Sequence, residues 1–369
     1  MSECFDLAKY GLGRTSPNPA VGAIVLDKNG VPVGKGFHKK AGLDHAEVVA
    51  IKQAGESAKG GTLIVNLEPC CHVGKTPACT DLIIKSQIKE VIFSNYDPNP
   101  LINMRGEKTL LDNKIKVVSR VLESQGLEFN KFFFKWIKTK LPWVTLKQAQ
   151  TLDGKVGIKG KNNVQITGDL SKTEVHSLRN SYDAVLVGAN TVLADNPELT
   201  VRELKDVGQE AVIRNPARII LDPDLITSPA SNVYKGTSKI YLVTKKGHPK
   251  EKLSSYLKND VPKNEHLKIL EFPEISSGRI DLKNLFIELG KNEILSVLIE
   301  AGPNLAGKLI SQSLIDEYIL FVSPKVFGEE GIPSVKTDTL ANCQKVFNFQ
   351  VFNYEKIGND LMLSLRPKG

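Results

Sequence analysis

Apolar residues in this chain come mostly in short runs of four to seven, separated by turn residues and amphipathic stretches. Residues 2–11 carry apolar side chains at helical spacing and predict a short first helix. Ser16-Pro17-Asn18-Pro19 reads as a turn opening a strand at 21–26, and Gly30 and Pro32 mark a hairpin into a second strand at 33–37. A helix is expected to start at His45-Ala46-Glu47 and run to about residue 54, followed by a buried strand at 62–67. The next helix is expected to begin at the Pro69-Cys70 step, with further strands at 91–94 and 115–118. A second alternating region supplies strands near 144–148, 184–187, 218–221, 239–243, 296–300 and 318–322. Ser171 with Glu174 reads as a capping box for a helix carrying His176 and Arg179. Strands alternating with helices predict α/β architecture, the first half a three-layer domain.

Between the two regions the pattern breaks. Residues 127–143 interleave Phe129, Phe132, Phe133, Phe134, Trp136 and Trp143 with Lys131, Lys135, Lys138 and Lys140. Such a mixture can be a platform for single-stranded nucleic acid. The reading preferred is an amphipathic connecting segment with its lysines in water. It divides the 369 residues into domains at 1–143 and 144–369, each long enough to bury a core.

Composition narrows the class without choosing a function. With 41% hydrophobic and 24% charged residues the chain reads as globular, and no apolar run approaches the ~18 residues of a membrane span. No N-terminal segment resembles a signal peptide, and five cysteines, an odd number, suit a reducing cytoplasm better than a disulfide framework. The expectations are therefore a cytoplasmic protein without a membrane partner. The formal charge of +8 suits an anionic partner, either nucleic acid or a small phosphorylated molecule.

The chemistry is carried by His45-Ala46-Glu47, by Glu68-Pro69-Cys70 and by Cys79. A histidine with a glutamate two positions on, then Pro-Cys and a further cysteine, is the signature of zinc-dependent nucleobase deaminases. One imidazole and two thiolates can hold one Zn²⁺ per chain with a position open, where the metal lowers the pKa of a water to about 7. Glu47, too near His45 to be a fourth ligand, is placed to carry that water's proton to the departing amine. Cys71 is a rival ligand. Cys4 and Cys343 read as ordinary thiols.

The runs SPNPAVGAIV, GFHKKAGLDHAEV, EPCCHVGKTPAC and DPNP, followed by LKQAQTLDGKVG, HSLRNSYDAVLVGANTVLADNPELTVR, ARIILD and IEAGPNLAGKLI, resemble the bifunctional deaminase/reductase family of riboflavin biosynthesis nearly end to end. The resemblance implies a cytidine-deaminase-like zinc domain followed by a dihydrofolate-reductase-like α/β domain that uses NADPH. The first would remove the 2-amino group of 2,5-diamino-6-(5-phosphoribosylamino)pyrimidin-4-one. The second would reduce the ribosyl side chain of the product to ribityl. The partner is then a small phosphorylated pyrimidine and not nucleic acid, with a homo-oligomer possible. By position, His45, Cys70 and Cys79 match the zinc ligands and Glu47 the proton carrier. Asn18, His38, His72 and Lys75 match the pyrimidine and phosphate pocket. Asn163, Arg179, Leu199, Arg202 and Glu300 match reductase substrate contacts. Ala149, Gln165, Thr191, Asp195 and the turn Gly302, Pro303, Asn304, Leu305, Ala306, Gly307 and Lys308 match dinucleotide contacts. Lys147 and Asp195 are candidate proton donors, and Thr244, Lys245 and Lys246 are expected near the 2′-phosphate of NADPH. Gln165 stands where many relatives carry tryptophan, and Met104 where glycine is common. Two other readings compete: a nucleic-acid deaminase with a non-catalytic second domain, and a chain with only one half active.

Overall fold

The computed structural model describes residues 1–72, 77–161, 163–204, 213–257, 266–275, 279–337 and 346–368. They divide into two compact units, one spanning Met1–Leu141 and the other beginning at Pro142.

The first unit holds strands β1 (Gly22–Leu26), β2 (Pro32–Phe37), β3 (Thr62–Leu67), β4 (Glu90–Asn95) and β5 (Lys116–Val118) in the order β2-β1-β3-β4-β5. β1 is antiparallel to both its neighbours, while β3, β4 and β5 run parallel. Helices α1 (Ser2–Lys9), α2 (Ala46–Ala54), α3 (Cys79–Lys85), α4 (Arg105–Asp112), α5 (Glu123–Phe129) and α6 (Lys131–Thr139) complete it. Two glycines reveal the layering. A Cβ on Gly22 would strike the Cys4 carbonyl of α1 at 2.1 Å, and one on Gly36 would strike the Ala46 carbonyl of α2 at 2.6 Å. Gly36 pairs with Ala23, the neighbour of Gly22, and successive strand residues point to opposite faces. The two helices therefore press on opposite sides of the sheet, which gives three layers.

The second unit is built on a nine-stranded sheet, order β11-β10-β9-β8-β14-β6-β15-β18-β17. Its strands are β6 (Trp143–Thr151), β8 (Ala184–Gly188), β9 (Ala217–Leu221), β10 (Ile240–Lys245), β11 (Leu267–Phe272), β14 (Ser296–Glu300), β15 (Glu317–Ser323), β17 (Phe349–Ile357) and β18 (Asp360–Pro367). Seven run parallel, and β18 and β17 close one edge as an antiparallel hairpin. Short strands β7 (Lys155–Ile158) with β16 (Gly331–Pro333), and β12 (Glu274–Ile275) with β13 (Arg279–Ile280), lie outside that sheet. Helices are α7 (Asp169–Ser181), α8 (Ala189–Asp195), α9 (Lys250–Leu257), α10 (Leu282–Lys291) and α11 (Pro303–Ser311). The central strands are continuous apolar runs because helices cover both faces of a parallel sheet. Val144, Leu146, Leu186, Ile219, Val243, Val297 and Ile299 join Leu285, Leu289 and Leu309 in one core cluster.

Three local expectations are corrected. No helix begins at Pro69-Cys70; α3 starts at Cys79, after a long connection between the two cysteines. Ser171 does not cap α7: the helix starts two residues earlier with Gly168 as N-cap, and the Ser171 hydroxyl donates to Asp360. Residues 302–308 are not a turn, since Pro303 already opens α11. The aromatic-basic stretch folds as α5 and α6 of the first unit up to Thr139, with Phe133 and Phe134 buried, while Trp143 opens β6 of the second. Among the described residues, no helix is long and apolar enough to cross a membrane.

Candidate active sites

In the first unit, His45 is the N-cap of α2, Glu47 lies in its first turn, and Cys79 opens α3. Cys70 follows β3, and the Thr80 N–H donates to its carbonyl at 3.1 Å. The ligand atoms of His45, Cys70 and Cys79 all lie within 4.8 Å of one another. His45 Nδ1 is 3.2 Å from Cys79 Sγ and 3.6 Å from Cys70 Sγ. Atoms bound about 2.0–2.3 Å from one tetrahedral ion stand about 3.5 Å apart, so the donor set fits zinc. Packed this closely, the three groups compete for protons. Hydrogen bonding to Cys70 lifts His45 to about 9, while donation from Cys79 and His45 lowers Cys70 to about 4 and pushes Cys79 up. A cation is the natural replacement for those protons. Cys71 Sγ instead faces the Leu101 carbonyl at 3.9 Å.

Glu47 is 5% exposed, and burial raises its carboxyl above the usual range; it also hydrogen-bonds Cys79. Behind it stands His38, with its ring 5.3 Å from that of His45. The Asp44 carbonyl, 3.0 Å from His38 Nδ1, can only accept, so His38 Nδ1 carries the proton and Nε2 accepts from Asn18 Nδ2 at 3.1 Å. Burial lowers the His38 pKa, which keeps the ring neutral. His72 follows Cys71, with Nδ1 buried and without a hydrogen-bond partner among the described residues. Lys75 and Cys343 lie outside the described residues.

Supporting roles went unassigned in the sequence reading, that of Glu68 within its motif and those of Asn66 and Asn130 altogether. Glu68, 3% exposed, accepts from the backbone N–H groups of Asp97, Met104 and Glu107 at 3.1–3.2 Å, tying that loop beneath Cys70. Asn130 accepts from the Ala20 N–H at 3.0 Å and donates to its carbonyl at 3.1 Å, as a neighbouring strand would. Asn66 adds a second bond to that carbonyl and accepts from Gly22, so two buried amides fix the segment that presents Asn18. Their only signal in sequence was polarity inside otherwise apolar segments.

In the second unit three charged side chains converge. Glu300, at the end of β14, is in register with Lys147 on β6. Arg179 of α7 grips Glu300 with Nε at 2.6 Å and Nη2 at 3.0 Å, and Lys147 Nζ stands 3.5 Å away. All three side chains are under 15% exposed. Burial alone would raise the Glu300 pKa, but the two cations win and hold it down to about 2; burial lowers Lys147. Arg179 also donates to the Thr200 carbonyl at 3.2 Å, and His176 Nδ1 accepts from the Arg202 N–H at 3.4 Å. The loop carrying Leu199 and Arg202 is thereby fastened to α7. Leu199 is 2% exposed at φ 56°, a strained conformation for a residue with a branched side chain.

The residues expected to contact the dinucleotide are more scattered. Among the described residues, a Cβ on Gly302 would meet only Thr191 Oγ1, at 4.0 Å, so there is room beside Thr191 at the N-terminus of α11. Asn304 is exposed there, with Pro303 and Leu305 partly so. Ala306 and Gly307 are buried, and a Cβ on Gly307 would overlap the Lys336 carbonyl at 1.7 Å. Gly307 serves close packing, and Lys308 Nζ donates to the Ile280 carbonyl. Asp195 accepts from the Asn163 backbone. Ala149 lies on β6 opposite Phe321, and Gln165 is exposed, bonded to the Thr167 carbonyl. The 2′-phosphate placement is corrected: Thr244 is fully buried and donates to the Pro223 carbonyl, and Lys245 is paired with Asp224 at 2.6 Å. Only Lys246 is exposed. Gln148 was missed; its amide donates to the Ala301 and Ser334 carbonyls and accepts from Tyr318, bracing the turn before α11.

A His-Cys-Cys cluster beside a buried glutamate on a three-layer unit defines a zinc-type deaminase, here followed by a second unit on a largely parallel sheet. The family described as the cytidine and deoxycytidylate deaminase zinc-binding region matches residues 1–95, and the RibD C-terminal domain matches 142–363. The riboflavin biosynthesis protein RibD of Aquifex aeolicus is 39% identical over 98% of this chain and 96% of its own, and that of Escherichia coli 34% over 99% and 98%. The crystal structure of Acinetobacter baumannii RibD superposes with a TM-score of 0.87 at 32% identity, covering 100% of this chain and 98% of its own. A Thermotoga maritima structure described as a diaminohydroxyphosphoribosylaminopyrimidine deaminase/5-amino-6-(5-phosphoribosylamino)uracil reductase gives 0.83 at 35% identity, covering 100% and 97%. The chain belongs to the RibD family. It is a bifunctional enzyme of riboflavin biosynthesis, a hydrolase through its deaminase half and an oxidoreductase through its reductase half, with zinc and NADPH as cofactors.

Proposed function

We propose that the unit ending near residue 143 deaminates 2,5-diamino-6-(5-phosphoribosylamino)pyrimidin-4-one and that the remainder reduces the ribosyl chain of the product. His45, Cys70 and Cys79 hold the zinc, which when bound supplies a nucleophilic water at neutral pH. Glu47 takes a proton from the water attacking C2 of the pyrimidine and returns it to the departing ammonia. Asn18 and neutral His38, locked to each other, present fixed polar edges to the ring, while His72 and Lys75 meet the phosphoribosyl end. In the reductase, NADPH when bound supplies the hydride. Glu300 and Arg179 orient the sugar, Leu199 and Arg202 close over the substrate, and Lys147 delivers the proton. Ala149, Gln165, Thr191, Asp195 and the open end of α11 at Gly302 and Asn304 face the dinucleotide. The triad carries two cations against one anion, which suits a phosphorylated substrate. Action in the cytoplasm fits a chain with four described free cysteines and a phosphorylated metabolite as substrate.

The observation that carries the reading is the set of three ligand atoms within 4.8 Å of one another beside buried Glu47. Incubating zinc-replete protein with the diaminopyrimidine phosphate tests it. Ammonia should appear without NADPH, and NADPH should be consumed as deaminated product accumulates. Absence of ammonia release would refute the first assignment; ammonia without NADPH consumption would refute the second.

A further inference from the structure

Helix α7 begins poorly equipped. Its N-cap is Gly168, which has no side chain to satisfy the exposed N–H groups of the first turn. An acceptor for one N–H at this end, that of Gly168 itself, comes from far along the chain. Asp360, the first residue of β18, places Oδ2 at 2.8 Å from the Gly168 N–H and 2.6 Å from the Ser171 hydroxyl. Asp360 is 5% exposed and Ser171 1%. The outer strand of this hairpin, β17, is otherwise exposed: Phe352 is 52% exposed and Tyr354 71%, whereas Ile357 and Asp360 at the turn are both buried. The turn residue Gly358 lies against Leu170 in the first turn of α7. The one buried end of the hairpin is thus the end that meets the helix.

Two turns further along, Arg179 lies about 12 Å from Ser171. There α7 meets its other carboxylate, Glu300, and holds the Thr200 carbonyl. A buried acid therefore grips each end of the helix. The sign suits the helix dipole at both ends, with a carboxylate at the N-terminus and a cation in the last turn.

We propose that Asp360 is a positioning residue of the reductase site: it caps α7 from the C-terminal hairpin and so sets where Arg179 meets Glu300 and the 199–202 loop. The inference rests on the reading of Arg179 and Glu300 as substrate-side residues. Because β18 pairs with β15 and β15 with β6, the same sheet carries both the capping carboxylate and Lys147. An error in the cap becomes an error in the distance between the helix and that sheet.

The test measures both activities of the full chain. In Asp360→Ala the reductase KM for the deaminated substrate should rise about 3- to 30-fold, the scale of a lost cap. Asp360→Asn, whose amide oxygen still accepts from Gly168 and Ser171, should return KM to within about twofold of wild type. Ser171→Ala should give a smaller rise, and deamination should be unchanged in all three. A purely structural role would lower thermal stability and the active fraction with KM unmoved. Wild-type KM in Asp360→Ala, or, if that variant does not fold, wild-type KM in Ser171→Ala, would overturn the proposal. Arg179→Gln separates the two layers. If it leaves the same KM untouched, the site reading has failed; if it raises KM while Asp360→Ala does not, only the positioning role has failed.

Discussion

The two catalytic halves are assembled in opposite ways. The deaminase cluster draws its three donors from residues 45–79, at the starts of two helices and the end of one strand. The reductase triad joins residues separated by 121 and 153 positions, and its helix is capped by a residue 192 positions away from Gly168. One site is a cluster of metal-ligating groups, an imidazole and two sulfurs, brought together by neighbouring elements; the other is a buried ion cluster of two cations on one carboxylate. The first depends on local spacing and a metal, the second on the whole sheet being formed.

That contrast can be broken at its strongest point first. Cys70→Ser should take zinc content from one per chain to near zero and abolish deamination, whereas Cys71→Ser should keep both; metal analysis of the purified variants decides. Retained zinc in Cys70→Ser would mean that the ligand set is wrong. Next, Glu47→Gln should cost deamination about 10²–10⁴-fold while zinc stays bound and reduction of supplied deaminated substrate continues. Equal loss of both activities would show the two sites to be interdependent.

On the reductase side the effect is on stability. Glu300 has its carboxyl held at about 2 against an ordinary 4.5. A depressed folded-state pKa gives stability that is full above about pH 4.5 and is lost as pH falls towards 2, amounting to about 3 kcal/mol. Urea unfolding between pH 6 and pH 3 should show wild type losing stability more steeply than Glu300→Gln; parallel curves would contradict the ion cluster. The smallest effect is expected at Lys245, already engaged by Asp224 and Glu274. Lys245→Ala should change the NADPH-to-NADH preference by no more than about twofold, a difference of about 0.4 kcal/mol, and a larger change would restore the strand end as a phosphate site.

The same asymmetry explains what the sequence could reveal. His45, Glu47, Cys70 and Cys79 were legible because zinc chemistry restricts both residue type and spacing. The buried strands were legible because a doubly covered parallel sheet demands continuous apolar runs. The β17–β18 hairpin was not, since β17 is exposed over most of its length and leaves no burial pattern. Ser171 looked like a cap, and Asp360 drew no reading, because the bond between them is invisible to any local rule. Gly307 read as part of a phosphate turn, but close approach of the Lys336 carbonyl demands the same residue for another reason. The basic turn after β10 looked like a phosphate cradle because its acidic partners, Asp224 and Glu274, are distant in sequence.

The clasp of Asn130 on Ala20 has a consequence for biogenesis. Their hydrogen bonds span 110 positions, and ribosomes add about 5–20 residues each second. The segment that carries Asn18 and Ala20 is therefore made roughly 5–20 s before the amide that holds it in place, and its peptide groups wait through nearly all the synthesis of the first unit. This clasp closes only once the junction of α5 and α6 has left the ribosome, so a segment made early in the first unit is among the last to be fixed.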